Sequence, residues 1–412
     1  MDFRVVIILI LEAWLAFILL RKTGCLDTGA RLAAGALAIA TVFVLRAFVL
    51  DYETLDYQNF LSKWVQFFRE NGGFAALKYS IGNYNIPYLY FLAFFSYLDI
   101  PDLYLIKLLS IFFDVLLAYW SAQLAGKLSA SPFRKLLCFM VILFLPTVYL
   151  NGALWGQCDS IYAALAIGGI WFALDDRPLM SMTMIALSFA MKLQAVFIMP
   201  VYLLLLIKRK IRWYHLPVFP VVYILVVLPA VLAGRPFVDT LTLYLSQTGS
   251  IGDGLNYNSP SVFGIFWRVQ ASERVSKLAI SLAAAFMLTV LGFGIVNRER
   301  LKDRGLLIAA ALLCVGIPFL LPHMHDRYFF CADIMTLILA FGMPKLSHCA
   351  ALTQFASLLG YHAYLKMRYL LQMKYGSWAL VIVTVSLWAC YILEIKKSGP
   401  ELIPDREAEA DI

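Results

Sequence analysis

The chain has 412 residues, 62% of them hydrophobic and 15% charged, with a formal net charge of +8. A soluble domain carries about 45–50% apolar residues, so with a mean hydropathy of +0.79 the composition excludes a water-soluble enzyme and predicts an all-α, polytopic helical membrane protein. One membrane domain is expected over residues 1–395 with a tail at 396–412, and the basic charge is expected to report loop orientation rather than a nucleic-acid partner.

Apolar windows begin near residues 4, 29, 104, 134, 158, 178, 194, 216, 275, 305, 329, 347 and 376, predicting about 13 transmembrane helices. The first, "VVIILILEAWLAFILL", reads as a retained helix, because no small-residue cleavage site precedes "RKTGCLDTGAR". The seven cysteines are scattered singly, without metal-ligand spacing, and read as core thiols. Short turns such as "KLSASPFRK", "KRKIR" and "NRERLKDR" gather most of the Lys and Arg on one side, against Arg4, Lys192, Arg327, Lys366, Arg368 and Lys374 in the short segments opposite. The positive-inside rule then puts the C-terminal tail in the cytoplasm and the N-terminus outside. Residues 51–103 and 234–274 become extracytoplasmic loops.

In the first loop, Tyr57, Phe60, Leu61, Trp64, Phe67 and Phe68 recur at helical spacing, the pattern of a helix lying in the interface. The apolar "IPYLYFLAFFSYL" that follows is short for a span and reads as a second interfacial or re-entrant piece.

Ionisable residues in or beside apolar spans cost roughly 2.5–3.5 kcal/mol on translocon scales, so they are site candidates. The predicted topology collects them at one face. Asp51, Glu53 and Asp56 follow the second span, and Asn151, Trp155, Gln157 and Asp159 end another. Lys192 and Gln194 form a turn, and His323, His325, Asp326 and Arg327 form one more. Each alone also fits a plain structural role: Lys192 and Arg327 snorkelling to the interface, His325 capping a helix end, Asp114 bonding a neighbouring helix. Asp51 and Glu53 form an Asp-x-Glu pair, a metal-ligand pattern common by chance; no cofactor is expected, and a divalent metal is the less favoured reading.

Together the candidates suit a definite chemistry. Cations beside a hydrophobic groove bind the head group of a lipid such as a polyprenyl phosphate. A facing carboxylate takes the proton of an acceptor hydroxyl. A phosphate leaving group departs without a strong general acid, so one base and the cations are sufficient for direct displacement at a sugar's anomeric carbon.

The segments "LDYQNFLSKW", "YNIPYLYF", "WGQCDS", "MKLQAVFIMP" and "HMHDRYFF", in this order between about residues 40 and 370, resemble the GT-C superfamily of polytopic glycosyltransferases. The likeness is greatest to bacterial proteins related to the second mannosyltransferase of GPI-anchor synthesis. It implies an inverting hexosyltransferase, mannose being the expected sugar. The implied donor is a polyprenyl-phosphate sugar, and the acceptor hydroxyl sits on a glycan, lipid or protein outside a bacterial plasma membrane. By motif match, Asp56 is the implied base, and His325, Arg327 and Lys192 bind the donor phosphate. Asp51, Glu53, Gln157, Asp159, Gln194 and His323 are second-line candidates. The chain departs from the pattern in having Asp326 where Glu is commoner and Ile86-Pro87 where relatives have a Tyr-Pro-Pro element. Competing readings are a transporter or flippase of lipid-linked saccharides, which calls for polar groups at both faces and internal repeats, and a polysaccharide polymerase or ligase.

Overall fold

The computed structural model describes residues 2–82, 84–247 and 254–399, so most of the expected tail lies outside the described residues. The chain is helical almost throughout. Helix α1 (Phe3–Lys22) starts where the Asp2 side chain accepts from the Arg4 amide, and ends on Arg21 and Lys22, cations at the negative end of the helix dipole. Thr28 caps α2 (Gly29–Ala47) in the same way. A π-helical turn (Tyr57–Leu61) then runs into α3 (Ser62–Glu70), followed by α4 (Ile86–Phe95) and the 27-residue α5 (Asp102–Leu128).

Helix α6 (Pro132–Phe144) is broken by Pro146, where α7 (Pro146–Tyr149) begins and passes into a second π-helical turn, Leu150–Trp155; the two halves bend by 43°. Gly156 at φ 77° reverses the chain into α8 (Asp159–Leu174), a left-handed position that favours glycine. After α9 (Pro178–Met191) a 3-10 turn, Leu193–Phe197, leads to the short α10 (Val201–Ile207) and then α11 (Val218–Leu232).

Short helices α12 (Phe237–Leu241), α13 (Leu243–Gln247) and α14 (Val262–Ile265) lie in the second long loop. The bundle continues with α15 (Glu273–Val296), α16 (Asp303–Leu320), α17 (Phe330–Gly342) and α18 (Ser347–Leu365). Last is α19 (Lys374–Lys397), which takes in the first two residues of the expected tail. The sheet is minimal: β1 (Asn256–Tyr257) pairs in parallel with β2 (Met324–His325).

Helices thus begin close to the expected windows, though the window at 134 is a bent pair and that at 194 starts as a 3-10 turn. Among the described residues, seven helices are long and apolar enough to cross a membrane, eight if the bent pair counts as one span; α4, α8, α9 and α17 are apolar but shorter.

Helices α5 and α8 pack together at the centre of the main core, flanked by α6, α9 and α17. The first long loop builds a second core at one end: Leu61, Trp64 and Phe68 of its helical stretch meet Leu89 and Leu92 of α4, Ile106 of α5, Ile161 of α8 and Tyr223 of α11. At the opposite end the basic turns join through Lys127 to Asp175, Lys210 to Asp176 and Arg304 to the Leu128 carbonyl. Basic connections and the polar constellations therefore occupy opposite ends of the bundle.

Arg46 and Asp114 form an ion pair 3.1 Å apart with both side chains wholly buried. Arg46 also donates to the Leu143 carbonyl at 2.9 Å, and Ser160 donates to Asp114. Asp114 is thus the helix-joining residue its place in "IFFDVLLAYW" suggests, tying α5 to α2 and α8. Removing one partner of such a pair strands a charge, at a cost of about 3–5 kcal/mol, whereas apolar replacement of both is often close to neutral. Asp114→Ala is expected to lower stability to denaturation in detergent by about that amount, and Arg46→Met with Asp114→Leu by clearly less. Equal losses for the single and double variants would contradict a buried pair.

Candidate active site

The site forms where three breaks in helical structure meet. The Leu150–Trp155 π-turn presents Asn151 and Trp155, and the reversal at Gly156 presents Gln157 just before α8 begins at Asp159. At the end of α9, Lys192 takes an extended backbone (φ −155°, ψ 135°), which ends the helix and leads into the turn carrying Gln194. Between α16 and α17, β2 and the residues after it carry His325, Asp326 and Arg327. Asp56 comes from the first long loop, directly before its π-turn.

Of these, Asp56, Gln157, Lys192, Gln194, His325, Asp326 and Arg327 line one cavity of about 610 Å³. Asp56 Oδ2 accepts from Trp155 Nε1 at 2.9 Å and from Gln157 Nε2 at 2.8 Å, and lies 3.9 Å from Arg327 Nη1. Gln157 is in turn oriented by Tyr84, whose hydroxyl donates to its side-chain oxygen at 3.2 Å. Trp155 stacks on Tyr364 at 4.3 Å, and the Arg327 guanidinium lies 5.2 Å from the Trp155 ring centre. Aromatic planes therefore hold both the carboxylate's donor and the cation.

Beneath the cavity Asp159 is fully buried. It accepts from Lys192 Nζ at 2.6 Å and Asn151 Nδ2 at 2.9 Å, and its Oδ2 lies 3.6 Å from Arg327 Nε. Lys192 is thus engaged by Asp159. Arg327 differs: it is within 4 Å of three carboxylates, yet its buried Nε has no hydrogen-bond partner among the described residues.

His325 stacks on Tyr257 at 4.7 Å, which the β1–β2 pairing makes its neighbour. Burial first, then Arg327 and Lys192, lowers its pKa to about 4, so the ring is neutral near pH 7. Asp326 moves the other way: burial, only partly opposed by Arg327, raises its carboxyl to about 7.

The remaining candidates lie elsewhere. Asp51 accepts from Tyr104, and Glu53 from Gln58 at 3.0 Å, both at exposed positions off the cavity wall. His323 turns away at φ 61°, its Nδ1 2.7 Å from the Gly254 carbonyl and its Nε2 3.4 Å from Ser276. Among the described residues no group of three His, Cys, Asp or Glu is arranged to hold a metal. Tyr84, Asn85, Tyr244, Tyr257, Asn258 and Tyr364 also line the cavity but were not singled out from sequence. Only their abundance in the two long loops and at a helix end hinted at them.

A larger cavity of about 900 Å³ adjoins the first across Asn258. Its wall includes Arg268, Lys374, Phe266, Trp267 and Tyr369, with no carboxylate among the described residues that line it.

Fold and site together define a polytopic membrane protein with a buried carboxylate and cation cluster at one end of its bundle. The family model for glycosyltransferase family 87 matches residues 83–322, more than half of the chain, and the chain belongs to that family. Its class of reaction is therefore glycosyl transfer, in keeping with the GT-C resemblance. No curated protein matches the chain. The matched segment holds Gln157, Asp159, Lys192 and Gln194; His325 and Arg327 lie just past its C-terminal end, and Asp56 lies well before its start.

Asp326 keeps its proton to about pH 7 in the fold but only to about 3.9 in an unfolded chain. Through this group, stability falls as pH rises across that interval. His325 acts in the opposite sense, its contribution falling as pH drops below about 6.5. Asp326→Asn is expected to remove the first effect, so that its stability relative to wild type improves between about pH 5 and pH 7 in thermal unfolding. A constant difference across that range would contradict the assignment.

Proposed function

We propose that the protein transfers a hexose, mannose being the favoured sugar, from a polyprenyl-phosphate donor to an acceptor hydroxyl with inversion. Asp56 is the base and Arg327 the principal phosphate ligand. One observation carries this reading: in one cavity a partly exposed carboxylate, fixed by two N–H donors, stands 3.9 Å from a guanidinium whose Nε has no hydrogen-bond partner among the described residues. A phosphate satisfies the guanidinium with charge-assisted hydrogen bonds. Asp56 Oδ1, the oxygen not used by Trp155 and Gln157, takes the acceptor's proton as its oxygen attacks the anomeric carbon. The sugar–phosphate bond breaks, and the phosphate leaves on Arg327.

Neutral His325 donates a further hydrogen bond to the phosphate, and Lys192 adds positive charge from its pairing with Asp159. Arg327 and Lys192 supply the charge that a metal would otherwise bring. The basic turns at the opposite end support a cytoplasmic assignment for that end and so an extracytoplasmic site; on this reading the helices make thirteen crossings of a bacterial plasma membrane. The aromatic helices α3 and α4 then lie at the outer interface, where a lipid donor enters. A lipid, glycan or protein carries the acceptor hydroxyl. The flippase reading is weaker, since the polar cluster sits at one end of the bundle only.

In membranes supplied with labelled polyprenyl-phosphate hexoses, Asp56→Asn is expected to lose about 10²–10⁴-fold in transfer rate, as removal of a general base does. It should retain donor binding. Arg327→Gln is expected to raise the donor KM about 10- to 100-fold, the loss of a charge-assisted hydrogen bond of roughly 1.5–3 kcal/mol. Full transfer by Asp56→Asn would remove Asp56 from the mechanism.

A further inference from the structure

The side-chain polar groups of the cavity wall are mostly spoken for within the protein. Gln157 is held by Asp56 and Tyr84. Asn85 donates to Tyr223 at 3.3 Å and caps α4 at the Ile86 amide. Tyr244 donates to the Phe189 carbonyl at 2.9 Å, and Asn258 accepts from Tyr369 at 2.6 Å.

Gln194 is an exception. It lines the cavity, is 8% exposed, and its Oε1 has no hydrogen-bond partner among the described residues. A buried amide oxygen without a donor is costly, and the turn that carries it is held two residues earlier, where Asp159 accepts from Lys192. The turn is therefore tied to the Asp159 cluster, and the amide oxygen is unmet among the described residues.

Resting on the donor reading above, we propose that Gln194 is a sugar-specificity residue whose side-chain amide hydrogen-bonds one hydroxyl of the hexose being transferred. The missing partner has to donate a proton. An anionic phosphodiester has only acceptor oxygens, and Arg327 answers to it. A hydroxyl donates and accepts, so it meets the amide whichever way the group is turned. Gln194 shares its helix break with Lys192, beside the Asp159–Arg327 cluster that holds the phosphate, and the sugar is bonded directly to that phosphate. Attack with inversion brings the acceptor from the opposite side of the anomeric carbon, next to Asp56. The hydroxyl in reach of Gln194 thus belongs to the donor.

The test crosses one substitution with a substrate series: wild type and Gln194→Leu, each with the best polyprenyl-phosphate hexose and with its monodeoxy analogues, one hydroxyl removed at a time. Wild type is expected to discriminate against one analogue by at least about 10-fold in kcat/KM, since the site leaves a polar group unpaired when that hydroxyl is missing. Gln194→Leu is expected to treat that analogue and the parent alike while keeping its ratios for the others. Such ratios do not depend on the folded fraction, so a poorly folding variant still gives an answer. Unchanged discrimination in Gln194→Leu, or an effect confined to acceptor KM, overturns the proposal. Absence of wild-type turnover with every such donor overturns the donor reading, and this inference with it.

Discussion

Asp159 holds the site together. It is a carboxylate without access to water, in the first turn of α8, where the helix dipole favours a negative charge. Leaving it unpaired at that depth would be prohibitive. It is met by Lys192 from the end of α9, by Asn151 from the π-turn and, at longer range, by Arg327 from the loop after α16. Three irregular stretches of backbone, each expensive where it faces lipid, are thereby fixed to one point. The cavity wall is assembled from those same stretches.

The charge balance follows from that tie. Asp159 engages the Lys192 ammonium and leaves Arg327 as the cation whose donors are not spent. Trp155 connects the two halves of the site, since its N–H orients Asp56 while its ring lies beside the Arg327 guanidinium. Asp326, whose carboxyl burial raises to about 7, carries less negative charge near neutrality than an ordinary aspartate in a cavity that has to accept an anion. A base and a phosphate ligand then coexist within 4 Å without either being neutralised by a close hydrogen-bonded contact.

Much of the architecture was legible in the sequence because a membrane span announces itself by length and hydropathy, and a lone charge in an apolar run is too costly to be incidental. Asp114 in "IFFDVLLAYW" and Asp159 in "WGQCDS" both turned out to be paired buried carboxylates. Asp51, Glu53 and Asp56 could be ranked by distance from the span but not separated by partner. Only the fold shows Asp51 against Tyr104, Glu53 against Gln58 and Asp56 against Trp155 and Gln157. The β1–β2 pair was illegible, because two-residue strands joined across so long a separation carry no periodic pattern; it brings Tyr257 onto His325. The left-handed turn at His323 aims one histidine of "HMHDRYFF" away from the cavity while the other faces it, a distinction that spacing alone does not contain.

The most direct test is a structure of the protein with a short-chain polyprenyl phosphate bound. Phosphate oxygens within hydrogen-bond distance of the Arg327 guanidinium, with Asp56 facing them across the 610 Å³ cavity, are the expected result. A phosphate held instead by Arg268 and Lys374 in the neighbouring cavity would contradict it.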